Sequence, residues 1–194
     1  LIESRLSGIS TLEILLEGAG PDSLLDLDRM RAIRALQTWL EKLPAVDRTV
    51  SFVDHVEEMH FAMNDENPAF RALPPNKRLL QQYMLVYDGR DLYELIDRQY
   101  TKARILLTLN VHGAKALGAS VAQIQARLAA QPLPGLNAEV GGYGRLFSDQ
   151  SAMLIDGQAL SFASAFGQIF VFMWLLWRSF VAAGICMLPN LAPL

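Results

Sequence analysis

The chain opens on an alternation. In residues 10–17 (STLEILLE), Leu12, Ile14 and Leu16 alternate with Thr11, Glu13 and Glu17, a period of two that predicts a half-buried strand. Gly18, Gly20 and Pro21 break it. The period then changes: Leu27, Met30, Ile33, Leu36, Leu40 and Leu43 recur every three to four positions, with Arg31, Arg34, Thr38 and Glu41 on the other side. That spacing predicts a helix over 27–43, capped by Asp26 and ended by Pro44. A short strand is predicted over 48–52, with Val50 and Phe52 on one face. Residues 52–63 read as a helix, 64–76 (NDENPAFRALPPN) as a turn-rich connector and 77–87 as another helix. Asp88 and Gly89 are a stop, and 92–98 a further helical turn or two.

The clearest strand follows at 101–111, where Ala103, Ile105, Leu107, Leu109 and Val111 alternate with Lys102, Arg104, Thr108 and Asn110. A helix is predicted over 120–130 with Val121, Ile124 and Leu128 inward. Pro132-Leu133-Pro134-Gly135 is a turn, and 136–140 a short strand with Leu136, Ala138 and Val140 on one face. Gly141-Gly142-Tyr143-Gly144 closes it, and a helix is predicted from about Leu146. The order strand–helix–strand, helical insertion, strand–helix–strand is that of an α+β, ferredoxin-like split βαβ unit with an insertion at about 53–98.

Charge stops where the second half of that last helix begins. All 20 acidic residues, and every basic residue except Arg178, precede Gly157. The uncharged stretch 157–177 is 21 residues long, which as a helix spans roughly 32 Å, the thickness of a bilayer's hydrocarbon core. Small and weakly polar residues (Ala163, Ser164, Gly167, Gln168) gather in its first half, as where a membrane helix packs on neighbours. After Arg178 a second apolar run (VAAGICMLPNLAPL) begins, so a polytopic chain is expected. The expected division is 1–148 as an extracytoplasmic domain, 149–178 as a transmembrane helix and 179–194 as the start of the next, the whole being a piece of a longer polypeptide. Arg178 favours a cytoplasmic position for its end of the helix. The single cysteine, Cys186, allows no intrachain disulfide. With no basic stripe, nucleic acid is excluded as a partner.

Candidate chemistry is sparse. His55 and His60 flank Val56-Glu57-Glu58-Met59, but they stand five positions apart, about 140° around a helix, and do not make the zinc-protease motif. Glu57 and His60 have the E-x-x-H spacing of di-iron bundles in a single copy, and a solvated helix face is the reading preferred for them. His112 ends a strand and needs no role. Gly141-Gly142-Tyr143-Gly144 lacks the Lys-Ser/Thr of a phosphate loop and reads as a flexible turn at the handover to the membrane helix. Asp149 and Asp156 sit just outside the apolar span and read as interfacial. No catalytic residue, metal site or cofactor is expected, the chain does not read as an enzyme, and no substrate contact is assigned.

Several stretches together resemble the MMPL-like branch of the resistance–nodulation–division (RND) superfamily. They are STLEILLEG, then LEKLPAVDRTVSFVDHVEEMHFAMN, the insertion FRALPPNKRLLQQYMLVYDGRDLYELID, and above all the ending. There a long uncharged helix meets Trp177-Arg178-Ser179, and a new helix carries Leu188-Pro189-Asn190-Leu191-Ala192-Pro193. The resemblance implies a porter domain and the following helix of an inner-membrane exporter of lipids or other amphiphiles, driven by the proton-motive force. It implies a bacterial, multi-pass inner-membrane location with residues 1–148 periplasmic, and proton-relay carboxylates beyond this chain. The implied partners are the bilayer, an amphiphilic substrate and the rest of the polytopic chain, with a homo-oligomer left open. The alternative is a membrane-anchored extracytoplasmic sensor or assembly module without transport activity; the early second apolar run disfavours it.

Overall fold

The computed structural model describes residues 10–87, 89–111 and 113–191. Asp88, His112, Ala192 and Pro193, all named above, lie outside the described residues. The chain divides into two compact units between Ser148 and Asp149.

The first unit is built on a four-stranded antiparallel sheet. Its strands are β1 (Ser10–Gly18), β2 (Val46–Val50), β3 (Lys102–Leu109) and β4 (Leu136–Gly141), in the order β2-β3-β1-β4. Helix α1 (Leu27–Leu40) joins β1 to β2, and α5 (Ala114–Ala130) joins β3 to β4. Each crossover skips one place in the sheet, and the skipped place is filled by a strand of the other β-α-β half. This is the split β-α-β arrangement, and the α+β fold class read from the sequence is the one observed.

Register follows the alternation. Ile14 lies opposite both Ile105 and Val140, Leu12 opposite Leu107 and Leu16 opposite Ala103. These residues are at most 6% exposed and form one core with Met30, Ile33, Leu36 and Leu40 of α1 and Leu117, Val121 and Ile124 of α5. Both helices therefore cover the same face of the sheet. Each fully buried aliphatic side chain contributes about 1.5–3 kcal/mol of hydrophobic free energy.

Between the two halves lies the insertion: α2 (Phe52–Ala62), a 3-10 turn (Pro68–Phe70), α3 (Lys77–Val86) and a short α4 (Arg90–Tyr93). After α4, Ile96 pairs with Ala103 in an isolated bridge alongside β3. Leu80 and Leu92 are fully buried and tie the insertion into the core.

Several boundaries differ from the sequence reading: β2 lies two positions earlier than expected, at Val46–Val50, and α4 covers Arg90–Tyr93 rather than 92–98. Helix α1 ends at Leu40 rather than Leu43, its last residues passing into turns in which the Leu43 N–H bonds the Leu40 carbonyl at 3.0 Å. Phe52 is not a strand residue. Ser51 and Asp54 form a capping box, with the Ser51 hydroxyl accepting from the Val53 N–H at 3.1 Å and Asp54 Oδ2 from the Ser51 N–H at 2.7 Å. Phe52 thus becomes the first residue of α2, fully buried. Helix α5 starts six positions before Ser120, at Ala114. Ala114, Lys115, Ala116 and Leu117 are strong helix formers, and Ser120 is an interior residue that donates to the Ala116 carbonyl at 3.2 Å.

The second unit holds most of α6 (Tyr143–Trp177) and α7 (Phe180–Leu191). The expected start near Leu146 moves back to Tyr143.

Candidate functional site

The residues that first drew attention in the insertion are committed to structure. Arg34, on the α1 side read as polar, reaches α2. Its Nε donates to Glu57 Oε1 at 3.0 Å, Nη2 to Glu57 Oε2, and Nη1 pairs with Asp54 Oδ1 at 2.8 Å. Behind this fork lies a polar network. Gln37, fully buried, donates from Nε2 to Asp54 Oδ2 at 2.8 Å and to Thr49 Oγ1 at 3.2 Å, and accepts from Ser51 Oγ at 2.8 Å. Thr49 in turn donates to Glu41 Oε1 at 2.6 Å. Burial alone would raise the Asp54 pKa, but the Gln37 amide, the Ser51 N–H and Arg34 outweigh it and hold the carboxyl below its ordinary value. Burial likewise opposes the Arg34 charge, and Glu57 and Asp54 overcome it, so its pKa is raised.

Glu57 is therefore spent on an ion pair, and His60 is not on a solvated face. His60 is 6% exposed, its Nδ1 lies 2.8 Å from the Ala72 carbonyl, and its ring stands edge-on to Phe70 at 5.4 Å. It bolts the connector onto α2. The reason is sequence-distant: the connector folds back over α2, which local periodicity cannot show. His55 is half-buried, with Nδ1 3.5 Å from the Ser51 carbonyl. Among the described residues no group of three metal-ligating side chains comes together.

The glycine-rich handover is a fastening. Gly142 takes φ +89°, and Tyr143 begins α6 immediately after it. A Cβ on Gly144 would lie 2.7 Å from the Thr11 carbonyl oxygen and 2.9 Å from a Leu12 methyl, so the first turn of α6 packs on β1 more closely than any other residue allows. Arg145 donates to the Val140 carbonyl. Beside it, a groove of about 500 Å³ runs between α5 and β4, walled by Leu128, Pro132, Leu133, Leu136 and Val140, with Glu139 and Arg145 adding charge. Its size is that of a small-molecule site, and its lining offers apolar and polar walls.

In the second unit the window Leu160–Trp177 has a mean hydropathy of 1.6, and none of it is buried within the chain. Among the described residues, this is the helix long and apolar enough to cross a membrane. Gly167 has no heavy atom within 4 Å of a built Cβ, and the Ser164 hydroxyl donates to the Ser161 carbonyl at 2.9 Å. The small-residue face expected to pack on a neighbour thus has none among the described residues. The packed end is the other one. Trp174 stacks on Phe180 with centroids 4.7 Å apart, and Ala183 and Met187 of α7 are buried. The turn is two residues long: Arg178 takes φ +50° and its N–H caps the Trp174 carbonyl at 2.7 Å, while the Ser179 hydroxyl accepts from the Ala182 N–H at 3.4 Å.

A comparison with protein families bears on this pairing of a split β-α-β unit with an apolar helix. A model of the MMPL family matches residues 16–189, across both compact units. The chain belongs to the MMPL family. No curated protein matches it. MMPL membership places the chain among RND-type membrane transporters. The apolar surface of α6 then has a solvent suited to it.

Sequence reasoning missed the Arg34–Asp54–Glu57 cluster, Gln37 and Arg145. Only Ser51-x-x-Asp54, a helix-start signature, and the place of Gln37 on the row Met30–Ile33–Leu40 were legible signals.

Proposed function

We propose that the chain forms an outward-facing porter domain and the adjoining membrane helices of a proton-driven, RND-type exporter of lipids or other amphiphiles in a bacterial inner membrane. The observation that carries this reading is the MMPL match running unbroken from β1 through the apolar helix into α7. The ferredoxin-like strand order fits a porter subdomain, and the two-residue turn after Trp177 fits a polytopic chain better than a singly anchored sensor. The groove between α5 and β4 offers an amphiphile an apolar wall beside Arg145 and Glu139. The proton relay is assigned to membrane helices outside this chain.

The test uses the protein that carries this chain, reconstituted in vesicles with a fluorescent phospholipid and a fluorescent single-chain amphiphile. An imposed pH gradient should drive transport of at least one of them, and a protonophore should abolish it. Filling the groove with Ala129→Trp should lower the rate about tenfold with expression unchanged. Gradient-independent movement, or none of either probe, would contradict the reading.

A further inference from the structure

One face of the sheet is covered by α1 and α5; the other carries an ordered charge pattern that the exporter reading does not use. On the uncovered face β1 presents Glu13, Leu15 and Glu17, and its neighbour β3 presents Lys102, Arg104 and Leu106. Acids thus stand on one central strand and bases on the other. Glu17 and Lys102 are register partners 3.0 Å apart, and Glu13 reaches Arg104 at 3.5 Å. Leu15 projects between the two acids and is 48% exposed, against 1% or less for Leu12, Ile14 and Leu16 on the covered face. Beside it lies a shallow hollow of about 240 Å³ lined by Leu15, Tyr93, Leu95, Lys102 and Arg104.

We propose that this face is the contact surface for a second copy of the chain, stacked sheet on sheet about a two-fold axis that runs along the strands between β1 and β3. Such an axis exchanges β1 with β3, so the acidic strand of each copy lies over the basic strand of the other. A two-fold axis across the strands would set acid on acid. With the first axis Glu17 meets Lys102 of the second copy and Lys102 meets its Glu17, closing two ion pairs into a quartet. Leu15 comes over Arg104 of the second copy, at the hollow that Arg104 and Tyr93 line, as a knob over a hole. The pattern is self-complementary, and that is the argument for a second copy over an unrelated partner. Sheets stack about 10 Å apart and strands lie about 4.8 Å apart, so four strands give a face of roughly 350 Å² per copy. That is below the standard interface, so the association belongs to the weak, salt-sensitive class.

The proposal does not depend on which cargo is carried, and a charge-swap experiment tests it. Full-length copies, with Cys186→Ser and a donor or acceptor dye on Lys42→Cys, are reconstituted together in vesicles and their energy transfer is followed against surface density. Glu17→Lys alone sets lysines on lysines, and Lys102→Glu alone sets acids on acids; each should weaken association about tenfold. Mixing Glu17→Lys donors with Lys102→Glu acceptors rebuilds both ion pairs and should restore transfer to about the wild-type level, which also shows that both variants are folded. High salt should weaken the wild-type signal. No transfer in the wild type, transfer indifferent to the single reversals, or a mixture that fails to recover would each overturn the proposal.

Discussion

At Asp54, burial and hydrogen bonding pull in opposite directions, and hydrogen bonding wins. A carboxyl whose folded pKa is depressed contributes stability that is complete above its ordinary value, about 3.8, and is lost as pH falls through the folded value. The first unit is therefore expected to lose stability on acidification below about pH 4, and Asp54→Asn should flatten that part of the melting-temperature profile. Arg34→Ala removes the fork between α1 and α2 and should cost about 1–2 kcal/mol, discounted because Arg34 and Asp54 are partly exposed. Leu107, 1% exposed in the centre of β3, is the stronger test of the core. Leu107→Asp should destabilise the unit by at least about 3 kcal/mol; a melting temperature within a few degrees of wild type would show that Leu107 does not face the core.

Elements were legible where one face is buried and the partner is periodic. β1 and β3 announce themselves because Leu12, Ile14, Leu16 and Ile105, Leu107, Leu109 all enter the same core. β2 was read two positions late and with the wrong inward residues, for two physical reasons. Its register shifts between Val46 and Arg48, and its inward residue Thr49 is polar, satisfied by Gln37 and Glu41 rather than by apolar packing. The start of α5 was hidden by Gly118 inside the helix. The Arg34–Glu57 pair spans 23 positions of sequence and joins two elements, so no local pattern could give it. The handover from β4 to α6 was read as flexible, and the close approach of Gly144 to Thr11 and Leu12 shows a fastening instead. Gly144→Val should destabilise the first unit by about 1–3 kcal/mol through overpacking, whereas Gly20→Ala, with nothing within 4 Å of a built Cβ, should change it little. Equal melting temperatures for the two variants would remove the fastening.

At the scale of the molecule, the account rests on the chain being amphibious: a split β-α-β domain whose charges all lie before Gly157, then an uncharged helix that no part of the described chain buries. The MMPL match supplies the membrane, and the proposed orientation puts the domain outside and the Trp177–Arg178–Ser179 turn inside. The most direct measurement is cysteine accessibility in intact cells, in a Cys186→Ser background, with a membrane-impermeant maleimide. A cysteine at Gln123, exposed on α5, should label at once, and a cysteine at Ser179 only after the inner membrane is opened. Labelling of both from outside, or of Ser179 first, would contradict the crossing and its direction.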